Sequence, residues 1–286
     1  MDLTSYIAAA PEMVLLGLIC VVLVADLFVE DERRVITYWM TLATLGATLW
    51  ALFATAPEAR TLVFSGAYVS DPLSQVMKVA VVGFVAVAFI YARDYLKANS
   101  IHKGEFYVLG LFGLLGMMIM ISANSLLTMY LGLETLALSQ YALVAIDRKN
   151  VTSAEAAMKF FILGAIASGA LLYGISWVYG VTGHIQFDLI AGELAADPSA
   201  NNLPLWVGLA FIIVGIAFKF GAVPFHMWLP DVYHGARSPG TLYVASAPKI
   251  AAFALTIRIL VDALGGIHDV WSDMILVVGV LSLLLG

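Results

Sequence analysis

Phe218-Lys219-Phe220-Gly221-Ala222-Val223-Pro224-Phe225-His226-Met227-Trp228-Leu229-Pro230-Asp231, together with Ala247-Pro248-Lys249-Ile250-Ala251, is the sequence that decides the fold. It sets two lysines, Lys219 and Lys249, inside a stretch otherwise apolar enough to lie in a bilayer, the first beside a Gly and Pro interruption. A lysine at mid-membrane costs roughly 2.5 to 3.5 kcal/mol, so two of them call for a chemical reason.

Outward from this stretch, the 286 residues are 62% hydrophobic and 12% charged, with a mean hydropathy of +0.96. An average soluble domain is about 25% charged, so the composition is that of an integral membrane protein. The apolar segments run for about 17 to 25 residues rather than alternating over about ten, which favours helices over an outer-membrane barrel. Cys20 is the one cysteine. It rules out a disulfide framework or a cysteine-ligated cluster within the chain and reads as a small packing residue. The formal charge of −6 says little, because in a membrane protein the placement of charge matters more than its sum. The opening Met1-Asp2-Leu3 has no basic region, so the first apolar run is expected to remain as a span.

Spans are predicted at about 11–28, 35–55, 73–91, 106–122, 125–146, 155–180, 205–233 with an interruption, 241–260, and from about 271. The short connection at Ser122-Ala123-Asn124 forces an antiparallel hairpin. Connections one, three, five and seven carry Arg33 and Arg34; Arg93, Lys97 and Lys103; Arg148 and Lys149; and Arg237, whereas the even-numbered ones carry only Arg60. The positive-inside rule puts the odd connections in the cytoplasm, or the matrix if the protein is mitochondrial, and the N-terminus opposite. Val181 to Pro204 holds Asp188, Glu193 and Asp197 without Lys or Arg, as an exterior loop should. The apolar run Ser282-Leu283-Leu284-Leu285-Gly286 has no polar cap, which suggests the N-terminal part of a longer chain.

Of twenty acidic residues only Glu134 is expected near the middle of a span, roughly 13 to 14 Å in from Ser125 at 1.5 Å per residue. Lys249 follows Thr241 by eight residues, about 12 Å of helix. Lys219 is central if its span resumes after the break. Three lone midplane charges would cost on the order of 8 to 10 kcal/mol, comparable with a whole domain's stability. Pairing of Glu134 with a lysine relieves that cost. Whether such a lysine keeps its proton then depends on the carboxylate, which is the chemistry of a proton relay. Any one such charge could be structural glue between helices. Three at one depth, one of them at a helix break, favour a cavity instead.

Other residues carry weaker signals. Lys159, about four residues into the sixth span, can snorkel to the headgroups. His226 could pass protons between Lys219 and bulk water, or simply pack. His234 and Arg237 read as solvated, Lys78 and Arg258 as interface anchors, and Trp39, Trp177, Trp206, Trp228 and Trp271 as belt residues. Gly164-Ala165-Ile166-Ala167-Ser168-Gly169 is a small-residue packing face, since no Lys-Ser or Lys-Thr pair follows it as in a phosphate loop.

Phe218-Lys219, then Pro224-Phe225-His226-Met227-Trp228-Leu229-Pro230-Asp231-Val232-Tyr233, Ser246-Ala247-Pro248-Lys249-Ile250-Ala251, Lys159-Phe160-Phe161-Ile162-Leu163-Gly164 and Tyr179-Gly180-Val181-Thr182-Gly183 together resemble the subunit-N family of proton-pumping NADH:quinone oxidoreductase, respiratory complex I, whose mitochondrial counterpart is NADH dehydrogenase subunit 2. The resemblance covers roughly 105–286 well and the first three spans in layout only. It implies an all-α, antiporter-like fold of about 14 helices in two inverted five-helix repeats, of which this chain would hold eight or nine: three N-terminal helices over 1–104, the first repeat over 105–262, with an interrupted seventh helix, and the start of the second over 263–286. It implies proton-transfer roles for Glu134, Lys219 and Lys249, and secondary ones for Lys159 and His226. Ala236-Arg237-Ser238-Pro239-Gly240 departs from the family's usual Ala-Pro-x-Pro.

The resemblance implies a proton-translocating subunit of that enzyme in a bacterial inner membrane, or a mitochondrial one. It would neighbour antiporter-like subunit M and small subunit K, with no nucleic-acid partner. No cofactor or metal is expected in this chain: no glycine-rich fingerprint or cysteine set could hold NADH, FMN or iron–sulfur clusters, which with quinone belong to partner subunits. The rival readings are a stand-alone cation/proton antiporter or membrane-bound hydrogenase subunit of the same fold, and a non-conducting membrane scaffold.

Overall fold

The computed structural model describes residues 3–30, 34–99, 101, 103–197 and 202–286; Arg33 of the first connection lies outside them. Among the described residues the regular elements are helices and one short β-hairpin. Its elements are α1 (Leu3–Ala8), α2 (Ala10–Asp26), α3 (Val35–Ala54), β1 (Thr61–Val63), β2 (Tyr68–Ser70), α4 (Pro72–Ala98), α5 (Gly104–Ile121), α6 (Leu126–Val144), α7 (Val151–Thr182), α8 (Phe187–Ala196), α9 (Leu203–Phe220), α10 (Trp228–Gly235), α11 (Ser238–Ala245), α12 (Ala247–Thr256), a π-helical turn (Ile257–Ala263), a 3-10 turn (Gly265–Ile267) and α13 (His268–Leu285). Among the described residues seven helical stretches are long and apolar enough to cross a membrane. The shorter α2 and the more polar α6 fall where two further spans were expected.

Helix boundaries follow local chemistry. Asp71 caps α4 in a reciprocal box with Ser74, with Pro72 in the first turn. Asn150 caps α7, and Gly183 ends it in the left-handed region at φ 71°. α4 and α7 run beyond the predicted spans, because polar but helix-compatible residues such as Arg93-Asp94-Tyr95-Leu96-Lys97 continue the same hydrogen-bond ladder past the apolar stretch.

Two helix pairs approach through glycine. A Cβ on Gly116 of α5 would stand 2.6 Å from the Gly132 carbonyl of α6, and one on Gly174 of α7 would stand 2.6 Å from the Gly208 carbonyl of α9. With no hydrophobic drive between helices in lipid, close backbone approach of this kind is what packs them. It brings α6, which carries Glu134, against α5, and α9, which carries Lys219, against α7.

The connections at the end of the bundle that holds the β-hairpin are joined by backbone bonds. β1 and β2 pair antiparallel, Thr61 opposite Ser70, through a turn in which Phe64, Ser65 and Gly66 all have positive φ. Val69 N donates to Ser122 O at 2.8 Å, Asn124 N to Ala67 O at 3.0 Å, and Phe187 N to Asn124 O at 2.9 Å. Asn124, fully buried, adds side-chain bonds to Gly66 O (2.8 Å) and Asp188 (2.7 Å).

Candidate functional site

The site grows from the end of α9. Gly221, left-handed at φ 72°, stops the helix, and the chain passes through a cis Val223–Pro224 bond into α10. A helix ending inside the protein leaves carbonyls that need donors. Here each is accounted for. Ala222 N donates to Ala217 O at 2.8 Å and Gly221 N to Phe218 O at 3.0 Å. Trp228 Nε1 donates to Phe218 O at 2.9 Å, and Lys249 Nζ donates to Lys219 O at 2.7 Å and to Phe220 O at 3.1 Å.

Lys249 reaches that position because its own span is also broken. At Ser246 the backbone leaves the helical region (φ −107°, ψ −96°), and α12 begins again with Pro248 in its first turn, where the missing N–H does no harm. The sequence reading had one continuous span here. The break places Lys249 in the first turn of α12, with its ammonium on the negative end of α9 and 4.9 Å from the Trp228 ring centre.

Lys219 and Lys249 line one small cavity of about 10 Å³ with Leu136, Gln140, Phe160 and Trp228, enough for about one water. Glu134 precedes Gln140 by six residues on α6. Its Oε1 is buried without a hydrogen-bond partner. Among the described residues no salt bridge joins Glu134 to either lysine. The arrangement is two lysine side chains at one cavity, with the Glu134 carboxyl on the adjoining helix α6.

The secondary candidates lie apart from that cavity. Lys159 pairs with Glu155 (2.9 Å) and Asp231 (3.1 Å), with 43% of its side chain exposed. His226 sits in the irregular segment between α9 and α10 with Nδ1 buried and unpartnered.

Cys20, read as a packing residue, is exposed, and three further residues differ from their sequence reading. Trp228, read as a belt residue, is 2% exposed and is the centre of the site, since its indole N–H finds an acceptor at the helix break. Lys78 and Arg258, read as interface anchors, are 3% and 2% exposed. Lys78 pairs with Glu12 at 2.7 Å and donates to Tyr68 Oη at 2.8 Å. Arg258, on the π-helical turn, is bidentate on Asp71 at 2.7 and 2.8 Å, contacts Asp262 at 2.9 Å and donates to Ile121 O at 3.2 Å. Asp71-Pro72-Leu73-Ser74 was the legible signal: a cap carboxylate with one oxygen to spare. Among the described residues no group of three or more His, Cys, Asp or Glu side chains is placed to hold a metal ion.

Fold and site together define an antiporter-like polytopic membrane protein. A family model described as NADH:quinone oxidoreductase/Mrp antiporter, TM, matches residues 123–286. The chain belongs to that family. It is 50% identical over 286 residues to NADH-quinone oxidoreductase subunit N of Thioalkalivibrio sulfidiphilus, covering 100% of this chain and 59% of that protein. It is 51% identical over 279 residues to the subunit N of Alkalilimnicola ehrlichii, covering 97% and 57%. The chain thus spans less than two thirds of the curated relatives it matches. Among solved structures, respiratory complex I from Thermus thermophilus with bound aureothin superposes with a TM-score of 0.73 at 29% identity, over 87% of this chain and 52% of that one. The Mrp complex from Dietzia superposes with a TM-score of 0.74 at 22% identity, over 93% and 50%, a likeness of fold.

Proposed function

We propose that the chain is part of a proton-translocating subunit of NADH:quinone oxidoreductase, the subunit-N type, driven by quinone reduction in other subunits. The observation that carries this reading is the Lys249 ammonium seated on the α9 carbonyls at the cavity it shares with Lys219. Glu134, Lys219 and Lys249 hold and pass the proton, and Lys159 and His226 serve its approach. Residues 1–104 supply three N-terminal transmembrane helices, 105–262 a first five-helix repeat and 263–286 the start of a second. The subunit lies in a bacterial inner membrane with its N-terminus on the outer side, beside antiporter-like subunit M and small subunit K, and leaves NADH, FMN, iron–sulfur clusters and quinone to its partners. The names of the relatives and the basic residues of the odd connections support this placement.

The test is Lys219→Ala and Glu134→Ala in the assembled enzyme, with NADH-driven proton pumping measured in inverted membrane vesicles and assembly followed in parallel. Assembly is expected to survive and pumping to fall in both. Undiminished pumping in either variant overturns the reading. The fold likeness to the Mrp complex favours a second reading, a stand-alone cation/proton antiporter; recovery of the full-length protein free of redox subunits would decide for it.

A further inference from the structure

An aromatic pair that lines the lysine cavity adjoins a second, more exposed pocket. Between α7 and α10 opens a pocket of about 320 Å³ lined by Thr152, Glu155, Lys159, Pro230, Asp231 and His234. It lies at the ends of α7 and α10 that adjoin the basic connections, the inner side by charge. Lys159 and Asp231 are 43% and 46% exposed in their side chains, so solvent reaches the pair. Next to them, Phe160 and Trp228 stack at 4.6 Å with their planes 13° apart. Both rings are 2% exposed, and both also line the lysine cavity.

The two contacts join the same helices at neighbouring positions. Phe160 follows Lys159 directly on α7, and Trp228 precedes Asp231 by one helical turn on α10. The rings offer no group that relays a proton from one side to the other: Phe160 has no polar atom, and the Trp228 N–H is committed to Phe218 O. While stacked, the two rings leave no polar atom free between the pocket and the cavity on this path.

We propose that the Phe160–Trp228 ring pair is the barrier between an inner-facing charged pocket and the lysine cavity, held closed by the adjacent Lys159–Asp231 ion pair. The pocket is then the site where solvent protons wait, and parting of α7 from α10 is the step that admits them. The inference rests on the proton-conduction reading for what passes the barrier. Its geometry can be tested without it.

The experiment uses the full-length protein in its assembled complex, in inverted vesicles whose inner face meets the medium. Cys20 is changed to Ser, and Ala252, which lines the lysine cavity, to Cys as a reporter. The probe is the anionic thiol reagent methanethiosulfonate ethylsulfonate, which the two ammonium groups attract, and labelling of this chain is read by mass. Phe160→Ala, with the ion pair intact, is expected to raise the labelling rate most. Asp231→Asn should raise it roughly two- to fivefold, the worth of a partly exposed ion pair, and the exchange Lys159→Asp with Asp231→Lys should bring it back. Phe160→Leu serves where the alanine variant fails to assemble. Labelling unchanged by either Phe160 variant overturns the barrier; labelling raised in Asp231→Asn but not lowered by the charge exchange overturns the latch. If labelling behaves as expected while Lys219→Ala pumps normally, the barrier stands and the proton reading falls.

Discussion

Arg258 shows what a single residue does here that its position in the sequence conceals. A guanidinium near a span end normally reaches outward, yet this one turns inward, 2% exposed, onto Asp71 at the cap of α4. Burial pushes the Asp71 carboxyl up, but the hydrogen bonds from Arg258 and the Ser74 backbone outweigh it and hold the group below the usual carboxylate range. A lowered folded value means that Asp71 stabilises the fold fully above the ordinary carboxylate range and loses that contribution as pH falls through its lowered value. Arg258→Gln strands a buried carboxylate and is expected to cost about 3 to 5 kcal/mol at neutral pH, read as a lowered melting temperature in detergent. The sign of its pH dependence is opposite to that of the parent: protonating the stranded Asp71 relieves the variant, so the difference between the two should narrow toward acid. A gap that stays constant with pH would show that Arg258 acts by packing alone. The midplane lysines were legible as residues because charge in an apolar run stands out. Arg258 and Lys78 were not, because their buried partners Asp71 and Glu12 lie far away in sequence.

At the scale of elements, the two breaks carry the site. The break after α9 was legible, since Gly221 and Pro224 are both local signals. Gly221 is required there by its positive φ, and because a Cβ would run into Leu229 of α10. Gly221→Ala is therefore expected to cost at least about 1 kcal/mol from the left-handed backbone alone. It should also shift α10 and with it Trp228, lowering proton pumping more than it lowers assembly. Equal loss of the two would mean that the glycine serves folding only. The break at Ser246 was not legible: Pro248 is tolerated in a continuous kinked helix as well as at a new start, and what decides between them is that Lys249 gains the α9 carbonyls.

At the scale of the molecule, the connections at one end of the bundle are tied to one another. Asn124 joins the β-hairpin, the α5–α6 turn and the approach to α8 through its backbone and side chain. Asn124→Ala leaves the Gly66 carbonyl and Asp188 without that donor, at about 1 to 3 kcal/mol. Amide exchange at Val69, Leu126 and Phe187 is expected to quicken together, whereas quickening confined to Val69 would show that the three connections are independently stable. Composition and hydropathy alone determined the helical membrane class and the approximate spans, and they singled out Glu134, Lys219 and Lys249 as charges in apolar runs, because the cost of burying polar groups in hydrocarbon constrains the sequence residue by residue. Only the tertiary structure decided that Trp228 and Lys249 satisfy the end of α9, that the α12 span is broken, that Lys159 sits outside the lysine cavity, and that Arg258 is buried. Each depends on which donor meets which acceptor across helices, and that pairing is set by packing rather than by any local run of residues.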